Sequence, residues 1–470
     1  MTDATMVGVS AGAMTTTDEP DGAPRVVSLD VMRGIAILGI LFMNINDMGG
    51  SIIASWSDVR HFGWTAADQV AWTVRAIFAD GTARCLLEML FGVGMVILTD
   101  RAAAAIGQDR DDVPRGRWRR LFGPWSIMRG YYWRNLVLFA FGLIHILILL
   151  WPGDILHTYG LAAMIAFLFR RLQAKWLLGI GLIMATLQLA GGGYGYVAST
   201  RDRVEAARLE GVRASGAQLT AAQGKLVKDV AERRQRRAAE ETKAARQVAT
   251  EDRDRTGTAL SWAKAQWHSA WSILVVDAIE LFSVWEAAST MLIGAALYKW
   301  GVIQGLRSRR FYLSLLHGGY GIGLTCRTIA AIQTLRFDQM PNISWATYDI
   351  ARITTTLGHV ALIQLLLGSA LGSRLLRPFE AAGRTALSIY VLQTLACLWL
   401  LYPPFALALY GKQGWMAMML TALAVNLALL WLANWYLQHY RIAPVEWAWR
   451  SILTGRRLPI RSASARTLSV

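Results

Sequence analysis

His145, Asp154, His157 and Tyr159 fall inside one otherwise greasy stretch, HILILLWPGDILHTYG, residues 145–160. An imidazole steered by a carboxylate can act as a general base, because histidine titrates near neutral pH. Asp154 and His157 stand at i,i+3, which puts them on one face if the segment is helical. Asp154 also follows Pro152 and Gly153, a position where aspartate caps a helix N-terminus, and the two roles are compatible. Zinc is the other chemistry that two histidines and an aspartate suggest. No HxxxH or HExxH spacing occurs, so no metal is expected.

The rest of the chain decides what solvent those groups meet. Its 470 residues are 54% hydrophobic and 17% charged, with 20 Trp. Apolar runs approach twenty residues, enough to cross a bilayer core of about 30 Å. The expected fold is all-α: a polytopic integral membrane protein of about ten transmembrane helices with a periplasmic helical insert. The runs lie near 34–50, 81–99, 131–151, 154–170, 174–194, 276–299, 311–333, 350–372, 382–403 and 413–437. With the N-terminus cytoplasmic, the arginines of 100–135, Arg170/Arg171/Lys175, Lys299/Arg307/Arg309/Arg310, Arg374/Arg377/Arg384 and Arg441 to Arg461 all face the cytoplasm. Much of the net charge of +16 is therefore topology, and no nucleic-acid partner is expected.

The organisation follows. Residues 1–25 read as a disordered cytoplasmic tail, small and polar, without the basic and apolar regions of a signal peptide. An N-terminal bundle of five spans covers 26–198, and a C-terminal bundle of five covers 266–455. Residues 456–470 form a cytoplasmic tail. Between the bundles, 199–265 is rich in Ala, Arg and Glu with many i,i+4 opposite charges, which predicts a solvated helical hairpin outside the membrane. Cys85, Cys326 and Cys397 are far apart and inside predicted spans, and read as free thiols.

In this topology the third span ends near Trp151, and the fourth starts at Asp154. His145 then lies roughly 9 Å below the outer end of its helix. Ionisable groups at that depth usually face a cavity or one another. The bland reading is an interhelical hydrogen bond. In the first span, SLDVMRGIAILGILFMNIND, Arg33 at the inner end and Asn44 near the outer mouth are separated by about 16 Å of helix. Arg33 alone would be an ordinary positive-inside anchor. His61 lies in the polar-aromatic loop RHFGWTAAD just beyond. His317 and His359 sit among glycines and threonines and read as packing groups; Glu280 and Glu286 begin the sixth span.

The segments LDVMRGIAILGILFMNI, LFGVGM, LIHILILLWPGDILHTYG, MLIGAALYKWG, AAGRTALSIYVLQT and APVEWAWRSI together resemble the YeiB family, over nearly the whole chain after residue 25. The matching positions are Arg33, Asn44, His145, Gly153, Asp154, Tyr159, Arg384, Tyr390, Gln393, Glu446 and Trp447. That family has no known function. It is more distantly similar to the transmembrane acyltransferases, which include heparan-alpha-glucosaminide N-acetyltransferase and the acyltransferase-3 proteins. Where acyltransferase-3 proteins place a histidine in the first span, this chain has Asn44. His61 weakly matches the lumenal histidine of the lysosomal enzyme. TARCLLE replaces the family's usual Lys-Phe before LFGVG.

The resemblance implies transfer of an acyl group, such as acetyl, from cytoplasmic acyl-CoA to an unknown extracytoplasmic acceptor at a bacterial inner membrane, with both termini cytoplasmic. Arg33, Arg134 and Arg384 would hold the acyl-CoA co-substrate. His145, assisted by Asp154 or His157, would take the acceptor's proton, and Asn44 would donate to the oxyanion. His61 is a further catalytic candidate. No Ser or Cys nucleophile stands beside a base, which favours direct transfer. Besides the lipid bilayer, a homo-oligomer is compatible with the chain. The main alternative is a proton-coupled transporter of a small molecule, which also uses buried His and Asp groups. It lacks support from internal repeats or paired broken helices.

Overall fold

A computed structural model describes residues 26–105, 125–276, 279–337 and 341–461. The segments 1–25 and 462–470, most of the two expected tails, lie outside the described residues, as do the basic connection 106–124 and Asp277.

The described residues are helical throughout their regular structure: α1 (Val27–Gly49), α2 (Ile52–Ser57), α3 (Ala66–Val74), α4 (Thr82–Ala105), α5 (Trp125–Leu147), α6 (Leu156–Phe167), α7 (Ala174–Gly181), α8 (Ile183–Ala214), α9 (Ala221–Thr256), α10 (Ala259–Trp271), α11 (Ile279–Lys299), α12 (Arg309–Leu335), α13 (Ser344–Leu367), α14 (Ala370–Arg384), α15 (Ala386–Thr394), α16 (Trp415–His439) and α17 (Pro444–Thr454). This is an all-α membrane protein. Each of the ten apolar runs falls on a helix. Among the described residues, six helices are long and apolar enough to cross a membrane, or seven if α14 and the helix that follows it at 78° count as one. The difference lies in α5, α6 and α12. Helix α6 has only 12 residues, and α5 and α12 carry Arg129, Arg134 and Arg327 along their length.

Helix α1 is buried on most of its circumference and is the central post, packed against α14, α4 and α16. Its crossing with α14 is closed to side chains. A Cβ on Gly34 would overlap the Phe379 carbonyl, and one on Gly383 would overlap the Asp30 carbonyl. The small residues let the two backbones touch, as membrane helices do without a hydrophobic drive between them. The crossing also sets Arg33 and Arg384 at one rim.

Helix α14 ends at Thr385, and α15 departs at the 78° bend. The free amides of the new helix are met by α17: Glu446 accepts from Leu387 N at 2.7 Å, from Ser388 N at 3.1 Å and from the Ser388 hydroxyl. A carboxylate at a helix N-terminus is favoured by both the hydrogen bonds and the dipole.

At the other end of α1, about 34 Å away by helix rise, sits the hairpin of α8 and α9. Thr220 and Gln223 start α9 with a reciprocal capping box. Farther along α9, Arg255 is fully buried and donates to the Asp47, Met48 and Gly50 carbonyls at 2.7–3.0 Å. Glu251 accepts from Ile52 N at 3.1 Å, from Ile53 N at 3.4 Å and from the Ser51 hydroxyl. One ion pair, 3.1 Å apart, thus caps the end of α1 and the start of α2 together. Beside it, His61 Nε2 meets Asp252 at 2.9 Å, and the Tyr410 hydroxyl donates to the same carboxylate.

The hydrogen bond that His61 donates to the Asp252 carboxylate raises the imidazole above its ordinary value, against the opposing effect of partial burial. A raised folded pKa stabilises below the unfolded value and is lost as pH climbs through the folded one. His61→Gln should therefore lower the melting temperature most near about pH 6 and hardly at about pH 9, by an amount under about 1 kcal/mol. Melting curves of both proteins across that range check it.

Candidate functional site

The turn between α5 and α6 builds the site. Leu150 takes a left-handed φ of 55°, a conformation that a leucine holds only where its surroundings fix it. Trp399 Nε1 donates to the Leu149 carbonyl at 2.8 Å, the Gln266 side chain to that of Leu150 at 3.1 Å, and Trp151 N to the His145 carbonyl at 3.3 Å. Gly142 on α5 makes room behind the turn, since a Cβ there would lie 2.6 Å from an Asp154 carboxylate oxygen.

Asp154 sits between two histidines. Its Oδ1 is 2.7 Å from His145 Nδ1, and its Oδ2 is 2.9 Å from His157 Nδ1. Oδ2 also accepts from His157 N at 3.0 Å, so the N-cap role coexists with the imidazole contacts. All three residues are at least 95% buried. The two imidazoles differ in what faces their far nitrogens. His157 Nε2 meets Glu280 at 3.1 Å, so both its nitrogens face carboxylates and both must donate. His145 Nε2 meets the Thr394 hydroxyl at 2.9 Å. If His145 donates from Nδ1 to Asp154, its Nε2 lone pair accepts from Thr394, the order carboxylate, imidazole, hydroxyl that polarises an O–H bond. Of the two, His145 is the one able to accept a proton.

A cavity of about 360 Å³ approaches this cluster from the N-terminal end of α1. Arg33, Arg101, Arg134, Arg384, Arg441 and Arg450 line it, against two carboxylates, Asp30 and Glu446. Arg33 pairs with Asp30 at 2.9 Å, Arg134 stacks at 4.0 Å on the Trp449 ring, and Glu446 is engaged in capping α15. Leucines and Phe91 form the walls, and Tyr159 and Tyr390 line the cavity with Ile155. Tyr390 also packs edge-on against His145, centroids 4.8 Å apart, and its hydroxyl accepts from Ile155 N at 3.2 Å. The three cations singled out in the sequence, Arg33, Arg134 and Arg384, thus share one cavity, and its tyrosine touches the imidazole.

Two other candidates stand apart. His61 is held by Asp252 of the hairpin and is no partner of the His145 cluster, because the short turn at Val59–Phe62 docks on α9. Asn44 is half-buried and is not among the residues that line the arginine cavity. Among the described residues no His, Cys, Asp and Glu side chains converge as a metal cage.

The sequence pairs Arg84 with Glu88 at i,i+4 and offers Glu286, but Arg352 and Asp349, which join them in a second buried cluster, were missed. Arg352 on α13 donates to Glu88 at 2.8 Å and to Thr290 at 3.0 Å, and pairs with Glu286 at 3.0 Å and Asp349 at 3.5 Å. Arg84 pairs with Glu286 and, at 3.5 Å, with Glu88. The Tyr159 hydroxyl donates to the Arg84 carbonyl at 3.2 Å, joining this network to the cavity. The signal was present: an arginine inside YDIARITTT interrupts an apolar run. Thr394 gave none, being one hydroxyl among many on helices.

Residues 297–456, which contribute Arg384, Tyr390, Thr394 and Glu446, match the family model described as a protein of unknown function (DUF418). The chain is similar to the uncharacterized protein YxaH of Bacillus subtilis (strain 168), 26% identical over 444 residues, 91% of this chain and 94% of that one. It is similar as well to the uncharacterized protein YeiB of Escherichia coli (strain K12), 27% identical over 463 residues, 94% of this chain and all of that one. The motifs around both ends of the cavity and these full-length likenesses agree with the resemblance to the YeiB family, and residues 297–456 carry its DUF418 region.

Proposed function

We propose that this chain is a membrane-embedded acyltransferase, which takes an acyl group from cytoplasmic acyl-CoA and delivers it to an extracytoplasmic acceptor. It would reside in a bacterial cytoplasmic membrane, with both termini and the arginine rim on the inner side, as the positive-inside bias favours. The observation that carries this reading is the single cavity with six arginines along it and Tyr390, the neighbour of His145, in its wall. Guanidinium groups match phosphate oxygens in charge and geometry, and the apolar walls suit the thin pantetheine arm.

In the proposed reaction the acceptor O–H or N–H displaces Thr394 from His145 Nε2 and gives its proton to the imidazole. The acceptor oxygen or nitrogen bonds to the thioester carbonyl carbon, the C–S bond breaks, and the CoA thiolate leaves and recovers the proton. Asp154 holds His145 in the required tautomer and faces the imidazolium that forms. Tyr390 must rotate aside for the thioester to arrive.

Calorimetric titration of the purified protein with acetyl-CoA and longer acyl-CoAs tests the donor half. Arg33→Ala and Arg134→Ala should each weaken binding by roughly tenfold or more, the worth of one charge-assisted contact, while His145→Ala should leave it unchanged. Absence of binding by well-folded protein up to millimolar ligand would remove the donor site and bring the proton-coupled carrier forward.

A further inference from the structure

At the opposite end of the bundle from the arginine cavity, α9 and α10 enclose a groove of about 1200 Å³ over Ile53 and Leu150. We infer that this groove binds an anionic amphiphile seated in the membrane, a lipid with a phosphate headgroup. The inference stands independently of acyl transfer.

The charge of the groove is one-sided. Lys243 and Arg246 project from one face of α9 and Lys264 from α10, all exposed, and among the described residues none has an ion-pair partner. The groove's carboxylates are already taken. Glu251 is held by Arg255 and the first amides of α2, and Asp254 lies 3.4 Å from Arg253. Three cations thus face a space with no free counter-charge.

The apolar side points to a lipid rather than a free anion. Trp267 and Trp271 of α10 lie along the groove, 48% and 56% exposed, and tryptophans with one wet edge concentrate at the membrane–water boundary. From Trp271 the chain continues toward α11, whose Glu280–Lys299 segment is apolar and long enough to cross the membrane. The groove therefore stands where the chain enters the apolar layer, and a headgroup among the cations would lay its tails beside α11. Its volume exceeds what a lone phosphate fills.

Native mass spectrometry of the full-length protein in neutral detergent, titrated with dioctanoyl phosphatidic acid, dioctanoyl phosphatidylcholine and inorganic phosphate, tests the assignment. Phosphatidic acid should bind more tightly than the other two. The triple variant Lys243→Gln, Arg246→Gln, Lys264→Gln should weaken it by on the order of a hundredfold. These exposed substitutions leave the buried clamp intact, so an unchanged melting temperature is expected. Trp267→Ala with Trp271→Ala should weaken the lipid and not inorganic phosphate. Equal binding of phosphatidylcholine, inorganic phosphate binding as tightly as the lipid, or a triple variant that binds like the wild type would each overturn it. Arg33→Ala should bind the lipid normally, which separates this site from the acyl-CoA cavity.

Discussion

Arg352→Met should destabilise the folded protein by about 3–5 kcal/mol, the loss measured when one partner of a buried ion pair is removed. Arg352 is 1% exposed and stands among Glu88, Glu286 and Asp349, each at least 97% buried. With Arg84 the cluster holds two guanidinium groups and three carboxylates. Removing Arg352 leaves three buried carboxylates facing one cation, which neither lipid nor water can screen. Methionine fills most of the arginine's volume, so the loss is electrostatic rather than a cavity effect. Adding Glu88→Gln to Arg352→Met should recover part of the stability, and that recovery separates a charge imbalance from a packing defect. Thermal unfolding of detergent-solubilised protein measures both, and an Arg352→Met melting temperature equal to the wild type would contradict the account. Because α4, α11 and α13 meet at this cluster, it fixes the wall of the cavity as well as the bundle.

The second large effect concerns catalysis. His145→Gln should slow acyl transfer by roughly 10²–10⁴, the usual worth of a positioned general base. Glutamine still bridges toward Asp154 and Thr394 but cannot take a proton, so acyl-CoA affinity and melting temperature should hold. Thr394→Val is the informative companion. If Thr394 only occupies Nε2 until the acceptor displaces it, the variant keeps transfer within about tenfold, since one neutral hydrogen bond is worth about 1 kcal/mol. If the hydroxyl itself carries the acyl group, Thr394→Val abolishes transfer. Rates of CoA thiol release by the two variants distinguish these routes.

What the sequence made legible follows from separation along the chain. His145, Asp154 and His157 could be joined on paper because a two-residue Pro-Gly turn forces neighbouring helix ends together. The partners that complete the site lie far off: Thr394 is 249 positions from His145, and the Glu280 that also meets Thr158 is 122 positions from it. Arg352 and Glu88 are 264 apart, and no local period announces such a pair. Arg33 and Arg384 share a rim because Gly34 and Gly383 let two helices touch, a fact of tertiary packing. The partner of His61, a catalytic candidate by resemblance, was hidden for the same reason, since Asp252 arrives on the inserted hairpin. Charge bias and apolar runs sufficed for the all-α membrane class. Ten apolar runs and six or seven helices long and apolar enough to span differ because a buried bundle also accepts short or arginine-bearing helices such as α6 and α12.

The central claim is that a thioester entering at the arginine rim is opened at His145. Everted membrane vesicles carrying the protein, supplied with acetyl-CoA on their outer, cytoplasmic face, test it most directly. Free CoA thiol should appear faster than in vesicles lacking the protein, with acetyl label retained in the vesicles, and both signals should disappear in His145→Gln. Wild-type vesicles that bind acetyl-CoA yet release no thiol above the empty background would contradict acyl transfer.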